Sequence, residues 1–220
     1  MCGIIGYVGK KQSVDILLEG LKRMEYRGYD SAGIAIFDNN EINVIKSKGR
    51  LTELENKIKE YGSIDGTCGI GHTRWATHGE PSDVNSHPHS SVRITVVHNG
   101  IIENYQQLKD ELIEKGYNFT SQTDTEVVAH LIDSLYKDDL FVAIRDALRK
   151  ITGSYALGII SKDQPGKIYA ARKDSPLLIG LGKEENFIAS DMPAILKYTR
   201  DYYLVEEGEI VELTSSYVKL

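Results

Sequence analysis

The sequence predicts an α+β fold in which antiparallel sheets are covered by helices. Two observations carry that prediction. Short apolar segments follow one another through tight turns, so neighbouring strands reverse direction. The helical patterns come in groups and do not alternate with single strands as βαβ units require. The chain has 220 residues, enough to bury roughly 70% of its unfolded surface without staples.

A short apolar segment at residues 3–8 reads as a buried strand. A helical pattern starts at Ser13 and places Val14, Leu17, Leu18, Leu21 and Met24 on one face. Residues 32–37 and 42–46 are strands flanking Asp38-Asn39-Asn40, a hairpin signal. Leu51, Leu54, Ile58 and Tyr61 recur at helical spacing, in a helix that should stop at Gly62. From residue 68 to residue 100 the pattern is strand, long polar loop, strand. Val92, Ile94 and Val96 alternate there ahead of His98. Helices are expected at residues 104–115, 124–136 and 140–151, the second opening on Thr123-x-x-Glu126, a capping-box pattern. Strands follow near residues 155–161, 168–172, 177–181 and 187–189. A short helix around 192–198 and strands at 203–206 and 209–213 complete the pattern. No repeat or linker stands out, so residues 1–220 are expected to form a single domain.

Charge and composition exclude several function classes. Twenty-six Lys+Arg against 32 Asp+Glu give a net charge of −6 with no basic block, which disfavours nucleic acid and membrane surfaces as partners. No apolar run reaches the roughly 18 residues of a membrane span, and residues 1–11 lack a signal-peptide layout. Two cysteines, Cys2 and Cys68, make no disulfide framework. A cytoplasmic, reduced protein is expected.

Two features point to chemistry. Five of the six histidines (His72, His78, His87, His89 and His98) fall in one stretch with Cys68 and Trp75, the single tryptophan. Cys68-x3-His72 and His87-x-His89 do not match common zinc spacings, so no metal is expected and polar loop roles are the plainer reading. Cys2 is the second feature. Removal of Met1 would leave a thiol and a free α-amine on one residue. Their reference pKa values of about 8.5 and 7.7–8.0 let the amine take the thiol proton without a histidine. The alternative is a small buried residue at a strand start. Gly3, Gly6 and Gly9 have the wrong spacing for a dinucleotide loop. Asn99-Gly100 reads as a type I′ hairpin turn, which also offers an amide side chain and a backbone N–H to an oxyanion.

Four ordered motifs then identify a resemblance. They are Cys2-Gly3-Ile4-Ile5-Gly6, Arg27-Gly28-Tyr29-Asp30-Ser31-Ala32-Gly33, His72-Thr73-Arg74-Trp75-Ala76-Thr77-His78-Gly79 and His98-Asn99-Gly100-Ile101-Ile102-Glu103-Asn104. The chain resembles the N-terminal glutaminase domains (class II glutamine amidotransferases) of glucosamine-6-phosphate synthases, from Cys2 to about Leu213. The likeness extends to Asn85-x-His87-Pro88-His89, Thr123-Asp124-Thr125-Glu126, Ser175-Pro176-Leu177 and Ala189-Ser190-Asp191.

The resemblance implies an N-terminal-nucleophile hydrolase fold, a four-layer α/β/β/α sandwich. It also implies hydrolysis of the L-glutamine side-chain amide without a cofactor. Cys2 would be the nucleophile and its α-amine the base, with the Asn99 amide and Gly100 N–H as oxyanion hole. Arg74 would pair the substrate carboxylate and Asp124 its ammonium. Trp75, Thr77 and His78 would belong to a loop, residues 74–82, that closes over glutamine. Arg27 and Tyr29 would line the entrance, and His87 and His98 would have structural or interdomain roles. In the family a C-terminal sugar-isomerase half receives the ammonia and acts on fructose 6-phosphate, in an enzyme expected to be a homodimer. That half lies outside residues 1–220, so glutaminase activity alone is expected of this chain. Two readings stand beside this one: another branch of the same nucleophile family, and a non-catalytic binding module carrying zinc on the histidine-rich loop.

Overall fold

A computed structural model describes residues 2–220. Thirteen strands and five α-helices succeed one another among them. They are β1 (Gly3–Val8), α1 (Ser13–Arg23), β2 (Ser31–Asp38), β3 (Glu41–Lys48), α2 (Leu51–Tyr61), β4 (Cys68–Arg74), β5 (His89–Ser90), β6 (Ile94–Ile102), α3 (Tyr105–Glu114), α4 (Thr125–Leu135), α5 (Leu140–Leu148), β7 (Gly153–Ser161), β8 (Ile168–Lys173), β9 (Leu178–Leu181), β10 (Asn186–Ala189), β11 (Tyr202–Leu204), β12 (Ile210–Leu213) and β13 (Val218–Lys219).

The strands form two sheets, each antiparallel along its ladders. One has the order β11-β9-β10-β1-β4-β2-β3 and the other β13-β12-β8-β7-β6-β5. Helices α1 and α2 lay Leu17, Leu21, Leu54 and Ile58 against the outer face of the first sheet. Helices α3, α4 and α5 cover the second sheet with Leu108, Leu112, Val128, Ile132 and Ile144. Between the sheets lie Ile4, Ile70, Val97, Ala156, Ala170 and Ile188, all fully buried. Each buried Ile or Leu side chain contributes roughly 1.5–3 kcal/mol relative to exposure, which is what drives the three apolar layers together. The result is the expected four-layer α/β/β/α sandwich.

The hairpin at Asp38 forms as read: Asp38 pairs Glu41, and Asn39 and Asn40 take φ of 51° and 63°, the left-handed pair of a type I′ turn. Helix α2 stops at Gly62, whose N–H returns to Ile58 O.

Three local readings are corrected. Asn99-Gly100 is no turn. Both residues lie inside β6, pairing Ala156 and Tyr155 of β7, so a nine-residue ladder outweighs the local turn preference. The capping box at Thr123 does not close either. Asp124 is the residue before the helix, while Glu126 folds back to accept from the backbone and hydroxyls of Thr120 and Ser121. Thr123 turns its hydroxyl to His89 and Ser121 instead. The helix expected at 192–198 is one 3-10 turn, Met192–Ala194. No described helix is long and apolar enough to cross a membrane.

Candidate active site

Register places the site residues. Because β1 pairs β4 with Gly3 opposite Thr73, Cys2 at the mouth of β1 and Arg74 at the end of β4 emerge side by side. Trp75, the next residue, donates its backbone N–H to Cys2 Sγ at 3.2 Å, and the thiol in turn faces Trp75 O at 3.6 Å. The second sheet supplies the opposite wall. Asn99 reaches across from β6, its Nδ2 donating to Cys2 O at 3.4 Å. Gly100 follows with φ of 133°, where a Cβ would stand 2.2 Å from Ser154 O, so only glycine fits. Asp124, just before α4, is buried with Oδ2 accepting the Ile102 N–H at 2.8 Å, which ties the helix start to the end of β6.

The charges are arranged around the thiol. Burial pushes the Cys2 thiol up, and the Trp75 N–H and the Arg74 cation pull it back toward the thiolate. Arg74 is itself buried. Its Nη2 donates to His78 O and, at 3.0 Å, to Gly79 O. Its Nη1 is buried with no hydrogen-bond partner. A guanidinium nitrogen left bare in the interior costs on the order of 1–3 kcal/mol or more, a cost an incoming carboxylate oxygen relieves.

Cys2, Arg74, Trp75, Thr77, His78, Asn99, Gly100 and Asp124 all line one cavity of about 640 Å³, so all eight residues singled out from the sequence converge. The removal of Met1, and with it the free α-amine, lies outside the described residues. Arg27 also lines the cavity, with Nη2 donating to Asp191 at 2.7 Å and Nη1 to Cys2 O at 3.3 Å. Tyr29 does not line it. Its hydroxyl accepts the Leu51 N–H at 2.8 Å and donates to Glu25, bracing α2.

The histidines do not converge on a centre. The rings of His72 and His87 stack at 4.1 Å and that of His89 meets His87 edge-on at 4.9 Å. Among the described residues no three His, Cys, Asp or Glu side chains are placed to hold a metal ion. His72, His87, His89 and His98 are each buried, and burial holds all four below the usual imidazole range, His72 down to about 3. Of the four, His87 and His98 also line the cavity.

Comparison with known proteins bears on this geometry directly. Residues 72–197 match the family model described as a glutamine amidotransferase domain. The chain belongs to that family.

Its relatives include the glutamine–fructose-6-phosphate aminotransferase (isomerizing) of Clostridium perfringens, 58% identical over all of this chain and 36% of that protein. The enzyme of the same name from Caldanaerobacter subterraneus is 62% identical over 96% of this chain and 35% of its own length. The chain thus spans about a third of the relatives it matches. Among solved structures, the glutamine phosphoribosylpyrophosphate amidotransferase of B. subtilis superposes with a TM-score of 0.85 at 30% identity, covering 99% of this chain and 48% of that one. A class-II glutamine aminotransferase domain protein from Silicibacter pomeroyi shares the fold, with a TM-score of 0.69 at 15% identity over 99% and 97% of the two chains.

The amidotransferase domain also contains groups that sequence reading passed over. Asp30 Oδ2 accepts the Ala76 N–H at 2.5 Å and Asp30 N–H donates to Arg74 O at 2.8 Å, so one residue pins the base of the loop. Asp83 accepts the Lys48 N–H at 2.7 Å and pairs Lys57, fastening the far end of the same loop to β3 and α2. Trp75 between these anchors is 54% exposed, its ring lying over Gly28. Ile101, Thr123, Thr125, Ser154, Ser175 and Pro176 also line the cavity. The signal for Asp30 was its place in the Arg27 to Gly33 motif; nothing in the spacing indicated its contact with Ala76.

Proposed function

We propose that residues 1–220 act as one glutaminase unit, hydrolysing L-glutamine to glutamate and ammonia through a thioester on Cys2. The observation that carries the reading is the convergence on one cavity of a thiol, a buried cation with an unpartnered nitrogen, a buried carboxylate and an amide on a rigid strand. The Cys2 thiol gives its proton to the α-amine exposed by loss of Met1, and the sulfur attacks the side-chain carbonyl carbon. Charge then collects on the carbonyl oxygen, where Asn99 Nδ2 and the Gly100 N–H donate to it. One such donor is worth about 10²–10³ in rate. The C–N bond breaks, the leaving nitrogen takes the proton and departs as ammonia, and water hydrolyses the thioester to regenerate the thiol.

Arg74 and Asp124 read the two charges that free glutamine carries at its α-carbon. The planar guanidinium suits the carboxylate, and the Asp124 carboxylate suits the ammonium. Trp75, Thr77 and His78 cover the bound substrate from the loop. The kinship with the fructose-6-phosphate aminotransferases supports a larger assignment. In it the ammonia passes to fructose 6-phosphate on a covalently linked sugar-isomerase domain, within a cytoplasmic homodimer that makes glucosamine 6-phosphate.

Glutamate release from glutamine by the purified chain, with the N-terminus read by mass spectrometry, tests the proposal. Turnover that Cys2→Ala reduces to the blank is expected. Full activity in Cys2→Ala would overturn it.

A further inference from the structure

We infer that His72 is a positioning residue that sets the rotation of the Asn99 amide and so aims its N–H₂ at the developing oxyanion. This rests on the oxyanion role proposed for Asn99. His72 Nε2 lies 3.0 Å from the backbone O of His98 and 2.9 Å from Asn99 Oδ1. A peptide carbonyl only accepts, so His72 Nε2 must carry the proton. The Asn99 atom facing that N–H must then also be an acceptor, which leaves oxygen. The amide nitrogen is thereby turned the other way, toward Cys2. An inverted amide would set an N–H₂ against an N–H.

The relay starts from a fixed point. His98 is fixed within β6 opposite Leu157, and its backbone N–H is held by His87 Nδ1, so a fixed carbonyl chooses the tautomer of His72 and His72 chooses the face of Asn99. The second ring nitrogen, Nδ1, is buried with no partner, so a second proton there has nothing to donate to. The ring is wholly buried and stacked on His87, which restricts its tilt. His72 does not line the cavity, touches no reacting atom and acts only through the amide it holds.

The test uses the whole chain with four variants, Asn99→Ala, His72→Leu, His72→Gln and the double variant H72L/N99A. Glutaminase kcat and KM are read separately, and the rate of Cys2 alkylation by iodoacetamide reports an intact site. Loss of orientation in His72→Leu is expected to lower kcat on the order of 10²-fold, with KM and alkylation rate unchanged. His72→Gln, which keeps an amide N–H near the same point, should recover most of that loss. H72L/N99A should be no slower than Asn99→Ala, since the histidine has nothing left to aim. Wild-type kcat in His72→Leu, or a double variant slowed by the product of the two single effects, overturns the inference. Full activity in Asn99→Ala overturns instead the oxyanion reading beneath it. Ring ¹H–¹⁵N NMR of the wild-type chain decides the matter independently of folding in the variants: His72 should appear as the neutral Nε2–H tautomer at pH 7, and an Nδ1–H tautomer or an imidazolium refutes the relay.

Discussion

Acidification should unfold this chain through its buried histidines. His72, His87, His89 and His98 are buried and held neutral in the folded state, chiefly by loss of hydration. For His89 the charges of Lys46 and Arg74 work in the same direction and Glu126 opposes them. In the unfolded chain each has a pKa of about 6.5. Below that value the unfolded state takes a proton that the folded state refuses, so stability is present above about pH 6.5 and is lost as pH falls. For His72 the loss continues down to its folded pKa of about 3. For His72 linkage gives a penalty of about 0.2 kcal/mol at pH 7 and about 1.4 kcal/mol at pH 5.5, a loss of about 1.2 kcal/mol over that interval. His87, His89 and His98 shift in the same direction and add to that loss, which draws on the 5–15 kcal/mol typical of a folded domain. Urea unfolding followed by fluorescence of Trp75 and by circular dichroism at a series of pH values measures it. In His89→Gln the pH dependence should shrink, whatever the variant does to absolute stability. A wild-type loss below about 1.2 kcal/mol between pH 7 and 5.5, the share of His72 alone, would refute the argument.

Three further outcomes are expected. Arg74→Lys loses the forked donor and frees the carbonyls of His78 and Gly79; glutamine KM should rise about 10- to 150-fold, matching 1.5–3 kcal/mol for charge-assisted bonds. Gly100→Ala forces a side chain into left-handed backbone 2.2 Å from Ser154 O and should lower unfolding free energy by about 1–3 kcal/mol in urea melts, with kcat falling alongside. Asp30→Ala removes the acceptor of the Ala76 amide; exchange of that amide with deuterium should quicken by about tenfold or more, while amides of β6 stay protected.

Most elements of the fold were legible because their signals are local, whereas the four-layer stacking came from the family resemblance. The apolar stripe of α1, the Asn39-Asn40 turn and the stop at Gly62 each depend on residues a few positions apart. The misread points share a different cause. Asn99-Gly100 is a strong turn signal in isolation, and it was overridden by pairing with residues more than fifty positions later. Glu126 had the spacing of a cap, but two hydroxyls and two backbone N–H groups ahead of the helix made a better cradle. The eight site residues were found because the motifs resemble a family, not because their spacing implied a shared cavity. Asp30 and His72 show what a sequence hides. Their work is done through hydrogen bonds to Ala76 and Asn99, and those exist only after the sheets are built.

The interior between the two sheets has a consequence for chemistry. Cys2 and Arg74 ride on the first sheet, Asn99 and Gly100 on the second. The gap between those sheets is kept narrow by small residues: a Cβ on Gly158 would stand 2.6 Å from Ile188 Cδ1 and 3.0 Å from Val97 Cγ2, and Ala156 and Ala170 lie in the same layer. Interiors of this density do not yield smoothly to added volume. The separation of sulfur from oxyanion donors is therefore gauged by small residues that do not themselves line the cavity. A bulkier side chain at Gly158 would act as a shim, retuning the reaction coordinate from outside the cavity.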